Sequence, residues 1–217
     1  MRIGVLGTGV VGQTVGTKLV ELGHEVMLGS RDAANEKAVA WAKQAGDRAS
    51  NGTFADAAAF GDLLVNATFG AASVAAIGSA DGADLEGKVL LDLSNPLDFS
   101  HGFPPQLATE QGDSVAEQIQ RAHQTLRVVK SLNTMNASVM VDPGKVPGEH
   151  VVFVASDDAG AKTEVSALLQ EIGWPEGRIV DLGGLDAARG LEAYLLLWVR
   201  LMQPRGRWDC NISINTA

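Results

Sequence analysis

The chain has 217 residues, 46% of them hydrophobic, which is enough to bury a substantial core. Its 26 acidic against 17 basic side chains give a formal net charge of -9, a surface that repels nucleic acid and anionic membranes, so any phosphate site must be local. The single cysteine, Cys210, excludes an internal disulfide and a zinc site built on several thiolates.

"MRIGVLG" enters a strand at once, with no basic region ahead of a long apolar run, so no secretory leader is expected. The most apolar late stretch, "YLLLWVRLM", is too short to span a bilayer and is broken by Arg200. A cytoplasmic protein without a membrane segment is the expectation, and the lone thiol fits a reducing compartment.

Residues 3–6 form a short apolar run that meets glycine directly, as a central strand buried on both faces does. Glycines follow at 7, 9 and 12, then apolar positions at helical spacing up to a stop at Gly23, and a second strand at 26–28. This is a βαβ unit. Helices are predicted over 34–45 and 54–60, with a strand near 51–53 between them. "DLLVNATFG" and "KVLLDLSNPLD" then read as buried strands that end in small and polar residues, the chemistry expected at the carboxyl edge of a parallel sheet, where such sheets bind their ligands.

"FSHGFPPQLATEQGDS" is rich in proline, glycine and polar residues and reads as a surface loop, with an inert role favoured over a flap. Beyond it "LRVVKSLNTMNA" and "HVVFVASDD" are strands, 159–172 a helix, "GRIVDLG" a strand and 185–202 a final helix. The predicted fold is α/β, a doubly wound Rossmann-type parallel sheet with a small C-terminal α/β extension. The chain reads as one domain over 1–217, whose last part, from about 145, completes a second-substrate cleft or a dimer interface.

In the sequence GxGxxG each glycine has its own physical reason. Gly7 permits the tight turn, Gly9 lets the backbone approach a pyrophosphate, and Gly12 allows close packing of helix on strand. The helix N-terminus that follows offers unpaired N–H groups to phosphates. An enzyme using NAD would next offer Asp or Glu to the ribose, about 20 residues on. Here Ser30 and Arg31 arrive instead, a hydroxyl and a guanidinium suited to a phosphate that a carboxylate would repel. The reading is NADP(H), with Asp32 as a reservation and Lys37 as a second positive charge.

Proton donors are scarce. The only tyrosine, Tyr194, is followed four residues on by Trp198 and not by the lysine of a short-chain dehydrogenase. His24, His123 and His150 have no evident acid-base setting, and His24 falls at the sheet edge opposite the expected site. His101 is the only histidine retained as a candidate. No catalytic acid or base and no metal are expected, which suits direct hydride transfer between two aligned rings.

The chain resembles the NADPH-dependent reductases of coenzyme F420 over essentially its whole length. The resemblance is carried by "MRIGVLGTGVVGQTVGTKLVELGHEVMLGSRD", "NATFGA", "VVKSLNTMNA" and "ARGLEAYLLLWVRLM". It implies NADP(H) and F420 as cofactors, with the family's glycine loop at Gly7, Thr8, Gly9, Val10, Val11 and Gly12 and the 2'-phosphate on Ser30 and Arg31. It further implies a nicotinamide neighbourhood at Thr68, Phe69, Gly70, Met135 and Ala137, and a deazaflavin between "NTMNA" and the C-terminal helix. The chain departs from the family's pattern at Asn133, Thr134, Met135 and Asn136, a more polar wall, and Asn133, Thr134 and Asn136 are the second-substrate residues expected there. A reductase of a flavin, quinone, ferric complex or small carbonyl or imine compound, and a non-catalytic NADP(H) sensor, stay open as alternatives.

Ser94 and Asn95 end the fifth strand and are expected at the nicotinamide ribose. Asp92 is read as structural, orienting Asn95 or capping a turn. Arg189 and Glu192, three apart, are expected to pair on the helix face. Leu191, Leu195, Trp198 and Met202 recur at helical spacing as core, while Tyr194, Leu197 and Leu201 widen the apolar surface toward a homodimer contact or a cleft wall.

Overall fold

Ile3, Val5 and Leu6 of β1 (Arg2–Leu6) are wholly buried because helices cover both faces of the sheet to which this strand belongs. In the computed structural model, which describes residues 1–80 and 85–215, eight strands form that sheet. Chain order runs β1, α1 (Val10–Glu21), β2 (Glu25–Ser30), α2 (Glu36–Ala45), β3 (Ala49–Thr53), α3 (Phe54–Phe60) and β4 (Leu63–Asn66). It continues through α4 (Gly70–Gly78), β5 (Val89–Asp92), β6 (Leu97–Asp98), β7 (Gln106–Leu107), α5 (Val115–Ala122) and β8 (Arg127–Ser131). The last elements are α6 (Ala137–Met140), β9 (Val152–Ala155), α7 (Ala159–Ile172), β10 (Ile179–Asp181) and α8 (Ala188–Met202). β6, just before the proline-rich stretch, and β7, inside it, pair separately as a small antiparallel ladder, so the stretch is partly ordered.

The strand order is β10-β9-β8-β5-β4-β1-β2-β3. From β1 the chain winds one way through β2 and β3, then returns to place β4 on the other side of β1 and winds outward again. The order reverses between β1 and β4, and ligands of doubly wound sheets bind at such a switch point. The period of two along each strand divides the core. Ile3, Val5, Leu63, Val65, Val89, Leu91 and Val129 face one apolar cluster with α1, α2 and α7. Leu6, Leu64, Leu90 and Val128 face the other, with α3 and α5. A fully buried Leu or Val contributes about 1.5–3 kcal/mol relative to exposure, so these two layers hold the strand ends in place. In the first layer Trp174 is buried and donates from Nε1 to the Met140 carbonyl at 3.0 Å, which satisfies its one polar atom.

Two details correct the sequence reading. The sheet is not parallel throughout: β9 pairs antiparallel with β8, and β10 runs parallel to β9. The chain leaves the carboxyl end of β8 through α6, which has only four residues and does not carry it back across the sheet, so the next strand must run the other way. Helices α4 and α5 were also unassigned from sequence, since "GAASVAAIG" has no polar face to mark a period and α5 follows a loop-like stretch. Among the described residues no helix is long and apolar enough to cross a membrane.

Candidate functional site

A cleft of about 380 Å³ opens at the switch point, over the carboxyl ends of β1, β2 and β4. Its floor is the glycine loop. Gly7 has φ +121°, and a Cβ there would sit 2.5 Å from the Ala67 carbonyl oxygen. A Cβ at Gly12 would sit 2.1 Å from the Gly7 carbonyl oxygen, so α1 packs against the strand end only because that atom is missing. Gly9 differs: it lines the cleft, and a Cβ there would meet no protein atom within 4 Å. What that Cβ would fill is cleft space, as a cradle for a pyrophosphate requires. Gly9 is also the N-cap of α1 and supplies no side-chain cap, and the first turn holds no acid. Its N–H groups thus stay available to an anion, and the helix dipole favours one there. Thr8 lines the same floor and accepts a hydrogen bond from Gln13 Nε2 on its carbonyl at 2.9 Å, while Val10 and Val11 begin the helix and Val10 is exposed.

At the β2 end Arg31 lines the cleft, exposed, and among the described residues no carboxylate or hydrogen-bond partner holds its guanidinium. A free guanidinium beside a helix N-terminus suits a phosphate monoester. The neighbouring groups are more committed than the sequence suggested. Ser30 is buried and its hydroxyl donates to the Asp32 carbonyl, so its proton is spent on the turn. Asp32 Oδ1 accepts from the Ala34 N–H at 2.9 Å, and Asn35 caps α2 by accepting from Lys37 and Ala38 N–H. Lys37 is exposed on α2, one turn into the helix that Asn35 caps, and lies outside the residues that line the cleft.

Phe69 and Thr68 close the opposite wall, Phe69 being half exposed. Gly70 is not open to the cleft: its N–H donates to the Asn95 carbonyl at 3.2 Å, and a Cβ would lie 2.4 Å from that oxygen. Behind Thr68 the strand ends are tied by a buried polar chain. Thr68 Oγ1 lies 2.7 Å from Asn66 Oδ1, Asn66 Nδ2 donates to Asp92 Oδ1 at 2.7 Å, and Lys130 Nζ donates to Asp92 Oδ2 at 2.8 Å. Lys130 also reaches the Ser94 carbonyl and, at 2.9 Å, Glu192 Oε1 on α8. Glu192 in turn accepts from the N–H groups of Val115 and Ala116 at the start of α5.

This arrangement overturns the expected Arg189–Glu192 pair. Arg189 pairs with Glu117 of α5, and Glu192 points inward to the lysine. Burial pushes the Glu192 carboxyl above its usual range even though Lys130 opposes it. The Lys130 ammonium loses hydration through burial, yet Asp92 and Glu192 outweigh that and raise its pKa. Asp92 caps the following turn by accepting from the Ser94 N–H, as read, but does not orient Asn95. Asn133 does so: Asn95 Nδ2 donates to the Asn133 carbonyl at 3.0 Å, and Asn133 Nδ2 donates to Asn95 Oδ1 at 2.9 Å and to the Leu191 carbonyl at 3.0 Å.

Met135 and Ala137 are buried in the first apolar layer, Thr134 is buried, and Asn136 caps α6 by accepting from the Ser138 N–H. The bend that brings them there is Leu132, whose φ of +60° costs a leucine about 1–2 kcal/mol and is held by the Asn133 clamps on either side. His101 is exposed in the loop between β6 and β7, outside the cleft. Sequence reasoning passed over Lys130 and Glu192 as a pair. Their signal was a lysine inside the apolar run "RVVKS", which a buried strand tolerates only with partners.

A sheet whose switch point opens on an uncapped helix N-terminus, with a guanidinium left free at the second strand, places the protein among the Rossmann-type oxidoreductases that use NADP. Known proteins sharpen this. A family model described as "NADP oxidoreductase coenzyme F420-dependent" matches residues 2–96. The F420-dependent NADP reductase of Methanothermobacter marburgensis is 33% identical over 93% of this chain and 92% of its own. A crystal structure from Arthrobacter sp. FB24, provisionally assigned as an F420-dependent NADP reductase, superposes with a TM-score of 0.92 at 46% identity over 100% of both chains. The metalloreductase STEAP3 of Rattus norvegicus is 28% identical over 88% of this chain but only 36% of its own. The chain belongs to the F420-dependent NADP reductase family.

Proposed function

We propose that the protein passes hydride between NADP(H) and the deazaflavin coenzyme F420, and does so in the cytoplasm. The observation that carries the NADP half is Arg31, unpaired beside the glycine-loop cleft. Bound in the cleft, the nicotinamide ring would supply or accept the hydride. The chain's part is to hold and align. Gly7 to Gly12 present N–H groups to the pyrophosphate, Arg31 meets the 2'-phosphate, and Ser30 shapes the turn that carries Arg31. Thr68 and Phe69 wall the distal end. Ser94, Asn95, Asn133, Thr134, Met135, Asn136 and Ala137 form the rigid shelf behind it, acting through backbone position and buried hydrogen bonds. No side chain need move a proton, since hydride transfer between two rings requires near contact and exclusion of water.

In this reading the chain is one unit, and the part beyond residue 145 gives the second-substrate wall through α8. That helix keeps Leu197 and Leu201 exposed, an apolar face for the deazaflavin or for a second copy of the chain. The likeness to a metalloreductase supports a second reading, NADPH oxidation with a ferric, flavin or other acceptor. Anaerobic absorbance with NADPH and oxidised F420 separates them. Catalytic loss of the deazaflavin band is the expected result; tight NADPH binding without bleaching would reject F420 as acceptor and leave the second reading.

A further inference from the structure

His150 stands just ahead of β9, buried, with its ring edge-on to Trp174 at 5.3 Å between centroids. Its two nitrogens have opposite partners. Nε2 lies 2.9 Å from the Pro143 carbonyl, which only accepts, so Nε2 carries the hydrogen and donates it. Nδ1 lies 2.9 Å from Asn211 Nδ2 of the C-terminal segment. The same Asn211 nitrogen is 2.8 Å from the Val151 carbonyl, another group that only accepts, so turning the amide would set its oxygen against that carbonyl. Asn211 therefore donates to Nδ1, a bond the ring accepts only while it is neutral. The backbone closes around the pair: the Val151 N–H donates to the Ile212 carbonyl at 2.9 Å, and His150 forms an antiparallel bridge with Ser213.

The segment held in this way lies over α8. Trp208 packs on Trp198 with ring centroids 5.4 Å apart, and Cys210 packs on the apolar cluster of Leu195, Trp198 and Met202. We infer that His150 is a pH-sensitive latch: neutral, it pins the C-terminal strap across α8, and protonated, it lets the strap go and uncovers that face of the helix. A proton on Nδ1 would point at an amide nitrogen that carries hydrogens of its own, inside the protein. The charged groups on the packed elements do not receive it. Glu149 pairs with Arg178, which lines the same pocket as His150, Asp142 accepts from the Gly144 N–H, and Asp209 pairs with Arg207. Lys145 and Glu176 are exposed, and among the described residues no carboxylate reaches the ring. An imidazole released into water takes its proton near about pH 6.5. The open strap thus binds the extra proton, so the latch holds above that pH and loosens as pH falls below it.

The Val151 amide reports the strap directly, because its hydrogen bond goes to the Ile212 carbonyl. The test is residue-resolved hydrogen exchange on the full chain at pH 7.5 and pH 5.5, each rate divided by the intrinsic rate at that pH, with the β1 amides as the measure of global unfolding. In the wild type, protection at Val151 is expected to fall about tenfold between the two pH values while β1 stays protected, the ratio that one imidazole titrating only in the open state gives. His150→Phe keeps a ring against Trp174 but has nothing to titrate, so its Val151 protection is expected to be low and the same at both pH values. Asn211→Asp puts a carboxylate where the protonated ring can use it, so protection there is expected to stay level or rise at pH 5.5. Wild-type protection that does not change between the two pH values overturns the inference. So does a tenfold fall in His150→Phe, or, if that variant does not fold, in Asn211→Asp.

Discussion

Lys130 of β8 and Glu192 of α8 meet at 2.9 Å with neither side chain more than 1% exposed, and the same ammonium holds Asp92 of β5 at 2.8 Å. One lysine thus spends all three N–H groups joining two strand ends and helix α8. Lys130→Met leaves two carboxylates in the interior without their partner. A loss of about 3–5 kcal/mol in urea unfolding is expected. Adding Asp92→Asn and Glu192→Gln to that variant should recover a large part of it; a triple variant no more stable than the single one would show that the lysine acts by packing and not by charge.

Arg31 offers the sharpest test of cofactor choice. A charge-assisted hydrogen bond contributes about 1.5–3 kcal/mol, so Arg31→Ala is expected to weaken NADPH about ten- to a hundredfold and to spare NADH. Paired fluorescence titrations read this directly. Equal affinities for the two nucleotides in the wild type would sink the phosphate assignment.

The two glycines at the start of α1 predict the same loss of binding with different effects on stability. Gly9→Ala places its Cβ where no protein atom lies, on a backbone with φ -76° that any residue adopts, so stability is unchanged and NADPH binding is lost. Gly12→Ala drives a Cβ to 2.1 Å from the Gly7 carbonyl, so the helix must shift and about 1–3 kcal/mol of stability goes with the binding. Thermal melts and nucleotide titrations on both variants separate the roles.

Acid should loosen the start of α5. The Asp113 carboxyl is held down to about 2, chiefly by hydrogen bonds from Arg121, against an opposing burial cost. A depressed carboxyl stabilises the fold above the ordinary carboxylate range, and that contribution is lost as pH falls toward its folded value. Urea stability of the wild type is therefore expected to fall between about pH 5 and about pH 2 more steeply than that of Asp113→Asn. Parallel curves would remove Asp113 from the account of acid unfolding.

Much of this molecule was legible in one dimension. The alternation of strand and helix, the glycine loop and Arg31 follow from local period and spacing, and β1, α1 and β2 lie where those signals put them. Local signals failed where partners are distant or where two readings share one pattern. An apolar run marks a buried strand without giving its direction, so the reversal of β9 and β10 waited on the short path through α6. Ser30, read as a phosphate ligand, does line the cleft, and the turn that its hydroxyl closes onto the Asp32 carbonyl is a feature that spacing alone does not give.

The sequence by itself determined the nucleotide half of the site, because a βαβ loop builds that half from residues close along the chain and the backbone does the binding. Only the tertiary structure decided the distal half. Lys130 lies 38 residues from Asp92 and 62 from Glu192, and Glu192 faces that lysine in the interior while Arg189 pairs with Glu117. A buried charge takes the partners that the fold brings within reach, since water is not there to serve instead, and which partners those are is written in the packing of strands and helices.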